Sequence, residues 1–412
     1  MNVLHVSYAF PVRREVIPDG VTSVLYNMTH ELAKRGHHIT VCVSLTSVFD
    51  AERISSLRRM MLENGIEVYY FPYSIRFANF CITPRIVSFC LREIRKFNLI
   101  HIHDARAFQS MIVAFFAWLF RIPYVVQPHG AFFSPLPKST IVRLLRSFLD
   151  MTISRRIVEN CSRILVLSVT EAEEYLDHGV KAERITVIRN GIDVTEYENL
   201  PKRGRFRERH NIAAHNQLVL CLGRIHEIKG IDVLVRAFAR LVKHMRYIGA
   251  MLAIVGPDHG YLITLKALIK ELEMEKQILI LSPIYARDKL EAYVDSDICI
   301  IPSIYETFSM VLLEACVCGR PVIASRVGGL KDLVLNNDTG LLVEPGNVVQ
   351  LVNSMVFMLD DPNRAKAMGL RGREYVCKNF SIERAVDEIV TLYASIGSKR
   401  ARAEIGSLRK CQ

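Results

Sequence analysis

The sequence lacks the hydrophobic signals that would place a protein in or across a membrane. It opens on the strand-like run Asn2–Ser7 without the basic-then-apolar order of a signal peptide, so we do not expect secretion. Its most membrane-like run, Met111 to Phe120, has ten apolar residues, well short of the roughly 20 that span a bilayer. Because Arg121 and Pro123 follow, we interpret this run as a buried helix. We expect a cytoplasmic protein, with the inner face of the plasma membrane as a candidate peripheral location.

Low-complexity and metal-binding patterns are also lacking. No segment is compositionally simple, and half of the 412 residues are hydrophobic, so the whole length can contribute to folded cores. Ten cysteines occur, but Cys316 and Cys318 have no second cysteine or histidine pair nearby that would complete a zinc site. Others, such as Cys42, Cys221 and Cys299, lie in apolar runs where a thiol behaves as a small hydrophobic group. The pattern indicates a reducing compartment.

Charge of one sign is in excess, yet no single tail carries it. The formal net charge is +11, with local enrichment at Lys138 to Arg163 and in the last fifteen residues. Such surfaces attract phosphates, nucleic acids or anionic lipids, and an ordinary solvated face is the alternative. We expect no nucleic-acid partner. An anionic membrane surface is a candidate partner of the first stretch, because Arg143 and Arg146 lie beside Phe148 and Leu149 there.

What the chain does contain is a repeated alternation of short β-branched runs with amphipathic helical stretches. This alternation is typical of α/β proteins with parallel sheets covered by helices on both faces, and the length fits two such domains. The predicted strands lie near 2–7, 38–43, 66–71, 99–103, 123–127, 164–168 and 185–188, then near 217–222, 250–255, 277–281, 297–301 and 321–325.

The predicted domain boundaries follow from a break in this alternation. Segment 199–216 is charged, contains Pro and Gly and lacks periodicity, so we interpret it as a linker. It separates a first domain, 1–198, from a second, 217–380. Residues 381–412 are predicted to form a helix that packs back toward the first domain and ends in a basic tail.

Two carboxylates flank a predicted helix N-terminus in the second domain. The segment after Glu306 reads as the opening of a helix that contains Glu314 and stops at Gly319. Eight helical residues rise about 12 Å, comparable to the reach of a nucleoside diphosphate sugar from hexose to ribose. The free N–H groups between the carboxylates would face a diphosphate, while Arg224 and Lys229, which follow another strand, would supply positive charge. An acidic helix cap and a turn with exposed cations are the simpler structural interpretations.

Taken in order, these motifs resemble the retaining glycosyltransferases of glycosyltransferase family 4. That family has the GT-B fold, in which two Rossmann-like doubly wound domains face a central cleft. The resemblance covers nearly the whole chain. Its motifs are Asp19-Gly20-Val21, Arg35-Gly36-His37, His129-Gly130, Val187 to Asp193, Gly223-Arg224 through Lys229-Gly230, Ile254-Val255-Gly256, Pro302 to Glu306, Leu313-Glu314-Ala315, Gly319 to Ala324 and Gly328-Gly329.

The resemblance implies transfer of a hexosyl unit from a nucleoside diphosphate sugar, UDP- or GDP-linked, to an acceptor hydroxyl with retention of the α configuration. The acceptor would be a glycan, a lipid-linked glycan or an envelope polysaccharide precursor, bound on the side of the first domain, while the second domain binds the donor. No metal cofactor is expected.

The resemblance also assigns roles to particular residues. It implies that Arg224 and Lys229 bind the diphosphate, that Glu314 binds the ribose, and that Glu306 contacts the donor sugar. His129 matches a histidine that reaches the donor across the cleft, and Arg224, Lys229, Glu306 and His129 are the candidate catalytic residues. The remaining candidate donor-binding residues are Gly20, Phe308, Ser309, Met310 and Val311.

Two departures from the family pattern keep a second function open. Asp19-Gly20 stands where the family has Gly-Gly, which would place a carboxylate near the phosphate path. Phe308-Ser309-Met310 stands where Phe-Gly-Leu is common, and the Ser309 hydroxyl would either bond the phosphate or crowd the sugar. The alternative is therefore an inactive GT-B relative that binds a nucleotide or glycan as a partner protein. A GT-B epimerase is disfavoured by the order of the motifs.

One apparent metal motif is interpreted as structural. Asp295-Ser296-Asp297 matches the Asp-x-Asp metal site of the other large glycosyltransferase fold. In that fold the pair follows a strand, whereas here it is predicted to end a helix and to open a strand. We therefore expect no divalent cation at these carboxylates.

Overall fold

Two compact units make up the chain in the computed structural model. One contains Met1–Gly191 together with Ile382–Gln412, and the other contains Ile192–Ser381. The structure describes residues 1–11, 19–44, 59–77, 80–130, 152, 154–244 and 247–408.

The first unit is built on an eight-stranded sheet. Its order is β10-β9-β8-β7-β1-β2-β4-β3, every pair is parallel except β3 with β4, and β5 and β6 form a separate hairpin. The strands are β1 (Asn2–Ser7), β2 (His38–Ser44), β3 (Met60–Met61), β4 (Glu67–Phe71), β5 (Ile75–Phe77), β6 (Phe80–Ile82), β7 (Leu99–His103), β8 (Tyr124–Gln127), β9 (Arg163–Val166) and β10 (Ile185–Val187). The helices between them are α1 (Gly20–Lys34), α2 (Arg85–Glu93), α3 (Phe108–Leu119), α4 (Arg155–Asn160) and α5 (Val169–Asp177).

The second unit is built on a six-stranded, all-parallel sheet. Its order is β13-β12-β11-β14-β15-β16. The strands are β11 (Leu218–Leu222), β12 (Met251–Val255), β13 (Ile278–Leu281), β14 (Ile298–Ile301), β15 (Val322–Ser325) and β16 (Leu341–Val343). The helices are α6 (Arg205–Arg209), α7 (Ile231–His244), α8 (Leu262–Glu271), α9 (Ala286–Asp295), α10 (Met310–Val317), α11 (Leu330–Leu333), α12 (Val348–Leu359) and α13 (Pro362–Asn379). The predicted strands are present in both sheets, but the short strands β3, β5, β6 and β16 were not predicted.

The last helix, α14 (Ile382–Leu408), belongs to the first unit. Its Asp387 accepts a hydrogen bond from Arg35, which follows α1 directly, at 2.5 Å. Further along, the fully buried Tyr393 hydroxyl lies 2.6 Å from Nδ1 of His101 in β7. These bonds attach α14 to α1 and to the sheet.

The apolar run that was predicted to be a buried helix forms most of α3, and the structure buries this helix on one side only. Phe115, Trp118 and Leu119 are 54%, 59% and 48% exposed. Their spacing of three and four residues places them on one side of the helix, away from the buried Ala114 and Ala117. A run without polar residues gives no indication of which side faces solvent. None of the described helices is long and apolar enough to cross a bilayer.

Residues 199–216, the expected linker, include α6, which packs in the second unit. The Asp295 carboxylate accepts hydrogen bonds from the backbone N–H groups of Gly204 and Arg207, donors at the start of α6 that have no partner within the helix. The Asp297 carboxylate accepts bonds from the Arg207 guanidinium at 2.8 Å and from the Leu218 N–H at 2.7 Å. Both carboxylates of the Asp-x-Asp motif thus hold α6 against α9 and β11.

We therefore expect Asp295→Asn to destabilise the protein by about 1–3 kcal/mol, because the amide would turn an N–H group toward a buried backbone donor. Asp288→Asn is the matched control, since Asp288 lies in the same helix with its side chain 54% exposed, and it should cost under about 0.5 kcal/mol. Denaturant unfolding measures both. Equal stability of the two variants, or loss of a magnesium-dependent nucleotide affinity in Asp295→Asn alone, would contradict this structural role.

Three histidines lie side by side in the core of the first unit. His5 of β1 is paired in register with His101 of β7, and the ring centroids of His101 and His103 are 4.1 Å apart. All three are fully buried. Burial lowers the pKa of His5 to about 3 and holds the pKa values of His101 and His103 well below 6.5. The three rings are therefore neutral at pH 7.

These lowered pKa values predict a loss of stability in mild acid. A folded-state pKa below the unfolded value stabilises the protein above pH 6.5, and this stabilisation is lost as the pH falls through 6.5 toward the folded-state pKa. Each buried histidine should remove about 1.4 kcal/mol of unfolding free energy per pH unit in that window. Denaturant unfolding between pH 7.5 and 5.0 measures the slope. His5→Gln should reduce the slope of unfolding free energy against pH by the equivalent of about one proton. The control His38→Gln, at an exposed position, should reduce this slope less. Equal slopes in the two variants would argue against buried neutral rings.

Candidate functional site

The turn after β11 is locked to the end of β14 by backbone contacts. Gly230 has a positive φ of 59°, and a Cβ atom there would lie 2.2 Å from the carbonyl oxygen of Pro302. The N–H of Ile304 donates to the carbonyl of Ile228 at 2.8 Å. Since a side chain at Gly230 would clash with backbone, glycine is required for this approach. The contact brings Lys229 to the loop that contains Glu306.

Lys229 and Glu306, both predicted from the sequence, form an ion pair. The Lys229 ammonium lies 2.5 Å from Oε2 of Glu306, and their side chains are only 20% and 11% exposed. The Ser303 hydroxyl donates to the same oxygen at 3.3 Å. Arg224, in contrast, is exposed, with no hydrogen bond or ion pair among the described residues. The site therefore combines one oriented cation with one that is available to a ligand.

The loop that carries Glu306 is fixed by Gly328 and Gly329. A Cβ atom on Gly328 would lie 1.7 Å from the Glu306 carbonyl oxygen, and one on Gly329 would lie 2.2 Å from that of Thr307. The N–H of Gly329 donates to both carbonyls, at 3.2 and 3.1 Å. The glycine pair of the sequence motif is thus explained by the close approach of two backbones, which orients the loop before α10.

Helix α10 begins directly after Ser309, whose hydroxyl caps it. Ser309 Oγ accepts a hydrogen bond from the Leu312 N–H at 3.3 Å, and the side chain is nearly buried. The N–H groups of Met310 and Val311 have no partner within the helix, because they belong to its first turn. Phe308 packs near Phe380, with ring centroids 6.4 Å apart. The start of α10 therefore presents free N–H groups and the positive end of a helix dipole.

The start of α10 corrects one expectation. The helix begins at Met310, so Glu306 lies in a loop, and the predicted helical rise of about 12 Å between Glu306 and Glu314 does not apply. Glu314 is within the helix, and its carboxylate accepts bonds from Lys289 at 2.7 Å and from Tyr293 at 2.9 Å. Burial and the nearby Glu314 raise the pKa of Tyr293 well above 10, so Tyr293 remains a hydrogen-bond donor.

The sequence did not predict Lys289 and Tyr293 as part of the site. They are four residues apart on α9 and therefore share one face of that helix. This spacing could have indicated that the two side chains act together, but the same spacing occurs on any helix face that forms ion pairs.

In the first unit, the Asp19 carboxylate is occupied by its own helix. Its Oδ1 accepts the Thr22 N–H at 2.9 Å as the N-cap of α1, and its Oδ2 accepts the Tyr8 hydroxyl at 2.7 Å. Gly20 is the first residue of α1. The carboxylate that was expected near a phosphate path therefore has a local structural role, and helix capping by aspartate explains its presence.

His129 follows β8 in a left-handed conformation with φ of 52°. Its Nε2 lies 3.0 Å from Nδ1 of His103, and burial lowers the pKa of His129 to about 4, so the ring is neutral at pH 7. The next residue, Gly130, donates its N–H to the buried Glu171 carboxylate at 3.1 Å. Burial raises the pKa of Glu171 to about 7, although two backbone N–H bonds oppose that shift. Glu171 and His103 together hold the His129-Gly130 turn.

One group of side chains in the described residues has spacing that could suit a metal ion. It consists of the buried His5, His101 and His103, whose ligand atoms lie within 4.8 Å of one another. Asp295 and Asp297 are not part of such a group, and their oxygens bind α6 as described above.

Family comparisons match both halves of the chain. Residues 18–196 match the model described as Glycosyltransferase Family 4, and residues 202–375 match Glycosyl transferases group 1. The D-inositol 3-phosphate glycosyltransferase of Kineococcus radiotolerans is 30% identical over 53% of each chain. That of Corynebacterium glutamicum is 26% identical over 91% of each. The chain thus spans about half the length of several curated relatives in these alignments.

Solved structures with the same architecture confirm the predicted GT-B fold. The Anabaena protein HepE, solved in complex with UDP-glucose, has a TM-score of 0.77 and 20% identity, covering 96% of this chain and 100% of its own. Sucrose-phosphate synthase from Thermosynechococcus elongatus has a TM-score of 0.74 and 22% identity, covering 97% and 99%. With glycosyltransferase models matching both halves and a GT-B fold throughout, the chain belongs to the glycosyltransferases of family 4.

Proposed function

We propose that the protein transfers a hexosyl unit from a UDP- or GDP-linked sugar to an acceptor hydroxyl, with retention of the α configuration. The observation that carries this proposal is the Lys229–Glu306 pair, whose glutamate lies in the loop that leads into the start of α10. Two comparisons support this proposal. The relatives are named as glycosyltransferases, and HepE was solved with UDP-glucose, which is a UDP-linked sugar.

Each end of the donor has a matching group in the second unit. Lys229, the exposed Arg224 and the first N–H groups of α10 suit a diphosphate, because they supply positive charge and hydrogen-bond donors. Glu314 would accept bonds from the ribose diol while Lys289 and Tyr293 keep its carboxylate oriented. Glu306 would accept bonds from hexose hydroxyls. In the first unit, Gly20 and His129 are proposed donor-side residues.

The chemistry follows from where charge develops. As the bond to the anomeric carbon breaks, negative charge grows on the β-phosphate, and Lys229 and Arg224 would stabilise it together with the dipole of α10. In retention by front-face attack, the departing phosphate oxygen takes the proton of the acceptor hydroxyl, and the acceptor oxygen bonds to the same face of the anomeric carbon. Fixed cations favour this path because they lower the energy of the separated charges.

An inactive binding protein is the alternative function, and two observations weaken it. Asp19 and Ser309, the departures from the family pattern, both use their side-chain oxygens to cap helices. Neither side chain therefore needs to intrude on a bound donor. Slow hydrolysis of a nucleotide sugar by the purified protein without acceptor would separate the enzyme from the binding protein.

We also propose that the acceptor is lipid-linked and that the first unit contacts an anionic membrane surface. The stretch Lys138–Arg163, the original candidate for this contact, lies mostly outside the described residues. On α3, however, Phe115, Trp118 and Leu119 are exposed, and the exposed Arg121 follows two residues after the helix ends. Trp118, Leu119, Arg121 and Arg163 line a cavity of about 790 Å³. Apolar rings beside cations suit a head-group interface.

The electrostatic role of Lys229 predicts a loss of turnover larger than the loss of affinity. Lys229→Ala should lower kcat by about 100- to 1,000-fold, because a preorganised charge partner of the transition state is removed, with a smaller change in nucleotide Kd. Lys266→Ala, an exposed lysine of α8, is the control and should leave kcat unchanged. Steady-state kinetics with calorimetry measure both constants. Normal turnover in Lys229→Ala would refute the assignment.

The same substitution leaves Glu306 without its cation, and the double variant resolves this ambiguity. If the loss came from repulsion between an unpaired Glu306 and the donor, the double variant Lys229→Ala with Glu306→Gln would be as active as Glu306→Gln alone, which itself loses the hexose contact. We expect the double variant to be far less active than Glu306→Gln alone, because the missing charge acts on the phosphate. Glu314→Gln should instead weaken nucleotide binding while saturated turnover changes less. A Glu314→Gln protein with normal affinity would remove the ribose role.

The membrane proposal predicts selective binding to anionic vesicles. Co-sedimentation should show binding to phosphatidylglycerol vesicles but not to phosphatidylcholine vesicles. Arg121→Gln should weaken it about fivefold, the equivalent of roughly 1 kcal/mol per cation. Trp118→Ser should weaken it further. Ile263→Ser, which removes an exposed apolar side chain of the second unit, should have no effect. Equal binding to both vesicle types, or none to either, would contradict the proposal.

A further inference from the structure

A chain of hydrogen-bonded histidines runs from the core of the first unit to His129. Nδ1 of His5 lies 3.0 Å from Nε2 of His103, and Nδ1 of His103 lies 3.0 Å from Nε2 of His129. The first two rings are fully buried, whereas His129 is only partly buried at the end of β8. The chain therefore connects a fully buried ring to one that is partly exposed in the turn after β8.

The protons of this chain are coupled to one another. Burial lowers the pKa of every ring in it, so each imidazole is neutral and carries one N–H donor and one acceptor nitrogen. His103 can donate to only one of its two histidine neighbours. Either both hydrogen bonds are donated toward His129, or both are donated toward His5. The first arrangement leaves the proton of His129 on Nδ1, and the second leaves it on Nε2.

The buried end of the chain decides between the two directions. Nε2 of His5 is buried and has no hydrogen-bond partner among the described residues. If the bonds were donated toward His5, this nitrogen would carry an unpaired buried N–H. If they are donated toward His129, it carries only an unpaired lone pair. Orphaned buried N–H groups are rarer in folded proteins than under-satisfied acceptors, and an unpaired donor costs the full desolvation of the group.

We propose that His5 and His103 are positioning residues that fix His129 as the Nδ1–H tautomer, so that His129 offers a hydrogen-bond donor to the reaction and does not act as a base. The part concerning the reaction rests on the proposed function, whereas the tautomer itself does not. A neutral donor suits an uncharged oxygen of the donor sugar, since it forms a hydrogen bond without adding charge.

The same geometry argues against a metal at the buried histidines. His103 uses one ring nitrogen toward His5 and the other toward His129, so neither is free for an ion shared with His5 and His101. A metal there would have to break the chain.

Nitrogen-15 NMR of the histidine-labelled full chain tests the tautomer directly, because long-range couplings distinguish a protonated from an unprotonated ring nitrogen. At pH 7.5 we expect Nδ1–H on His5, His103 and His129. A His129 ring protonated on Nε2, or a stoichiometric metal found by elemental analysis of the purified protein, would overturn the inference. The wild-type spectrum is sufficient, so the test does not depend on a variant that folds.

Variants then separate positioning from packing. His103→Phe should leave His129 as a mixture of tautomers and lower kcat by about two- to tenfold, as the competent fraction falls, with less change in donor KM. His101→Phe is the matched control, since His101 is equally buried but bonds Tyr393 and not His129. It should affect stability while the tautomer of His129 stays fixed. Equal effects of both variants on the His129 signals would refute positioning. An unchanged kcat in His129→Phe, with the predicted tautomer present in the wild type, would refute the catalytic role alone.

Discussion

The site in the second unit depends on the close approach of two backbones that only glycine permits. In a parallel sheet the loops after neighbouring strands emerge at one edge, but emergence alone does not place a lysine against a glutamate. Gly230 allows the turn after β11 to touch the carbonyl of Pro302, and Gly328 allows the loop before α10 to be bonded from the other side. Lys229 and Glu306 then meet as a consequence of main-chain packing. Their orientation is therefore set before any ligand arrives, as electrostatic preorganisation requires.

The buried polar groups discussed above avoid an uncompensated charge in two ways: the carboxylates are hydrogen-bonded, and the histidines are neutral. In the second unit, Glu314 is bonded to Lys289, and Asp295 is bonded to the backbone of α6. In the first unit, the buried His5, His101 and His103 lie together, and burial keeps them uncharged. The difference follows from the cost of desolvation, which a pair of opposite charges offsets and which a neutral imidazole avoids.

Much of the fold could be predicted from the sequence because apolar runs and strand-end motifs are local signals. For this reason the sequence predicted the end of α10 near Gly319 and the turn at Lys229. Lys289 and Tyr293 were not, since their partner Glu314 is brought to them only by the packing of α9 against α10. The exposed side of α3 was also missed, because the run 111–120 that forms most of it has no polar residue to mark a solvent-facing side. The order of the motifs supported the assignment of His129 to the site, but it did not indicate that His129 is hydrogen-bonded to His103.

The position of the histidine chain could have been predicted from the sequence, but the positions of its protons could not. His101 and His103 alternate with apolar residues in β7, so they share one face of the strand, and the parallel register with β1 brings His5 to the same place. Period and register together could have located the cluster, but neither determines which nitrogen faces which. The direction of the hydrogen bonds depends on the surroundings of His5, whose buried Nε2 has no partner among the described residues. A single unpaired nitrogen in the core can therefore determine which nitrogen of the partly buried His129 carries the proton, because each neutral imidazole in the chain can donate only one hydrogen bond.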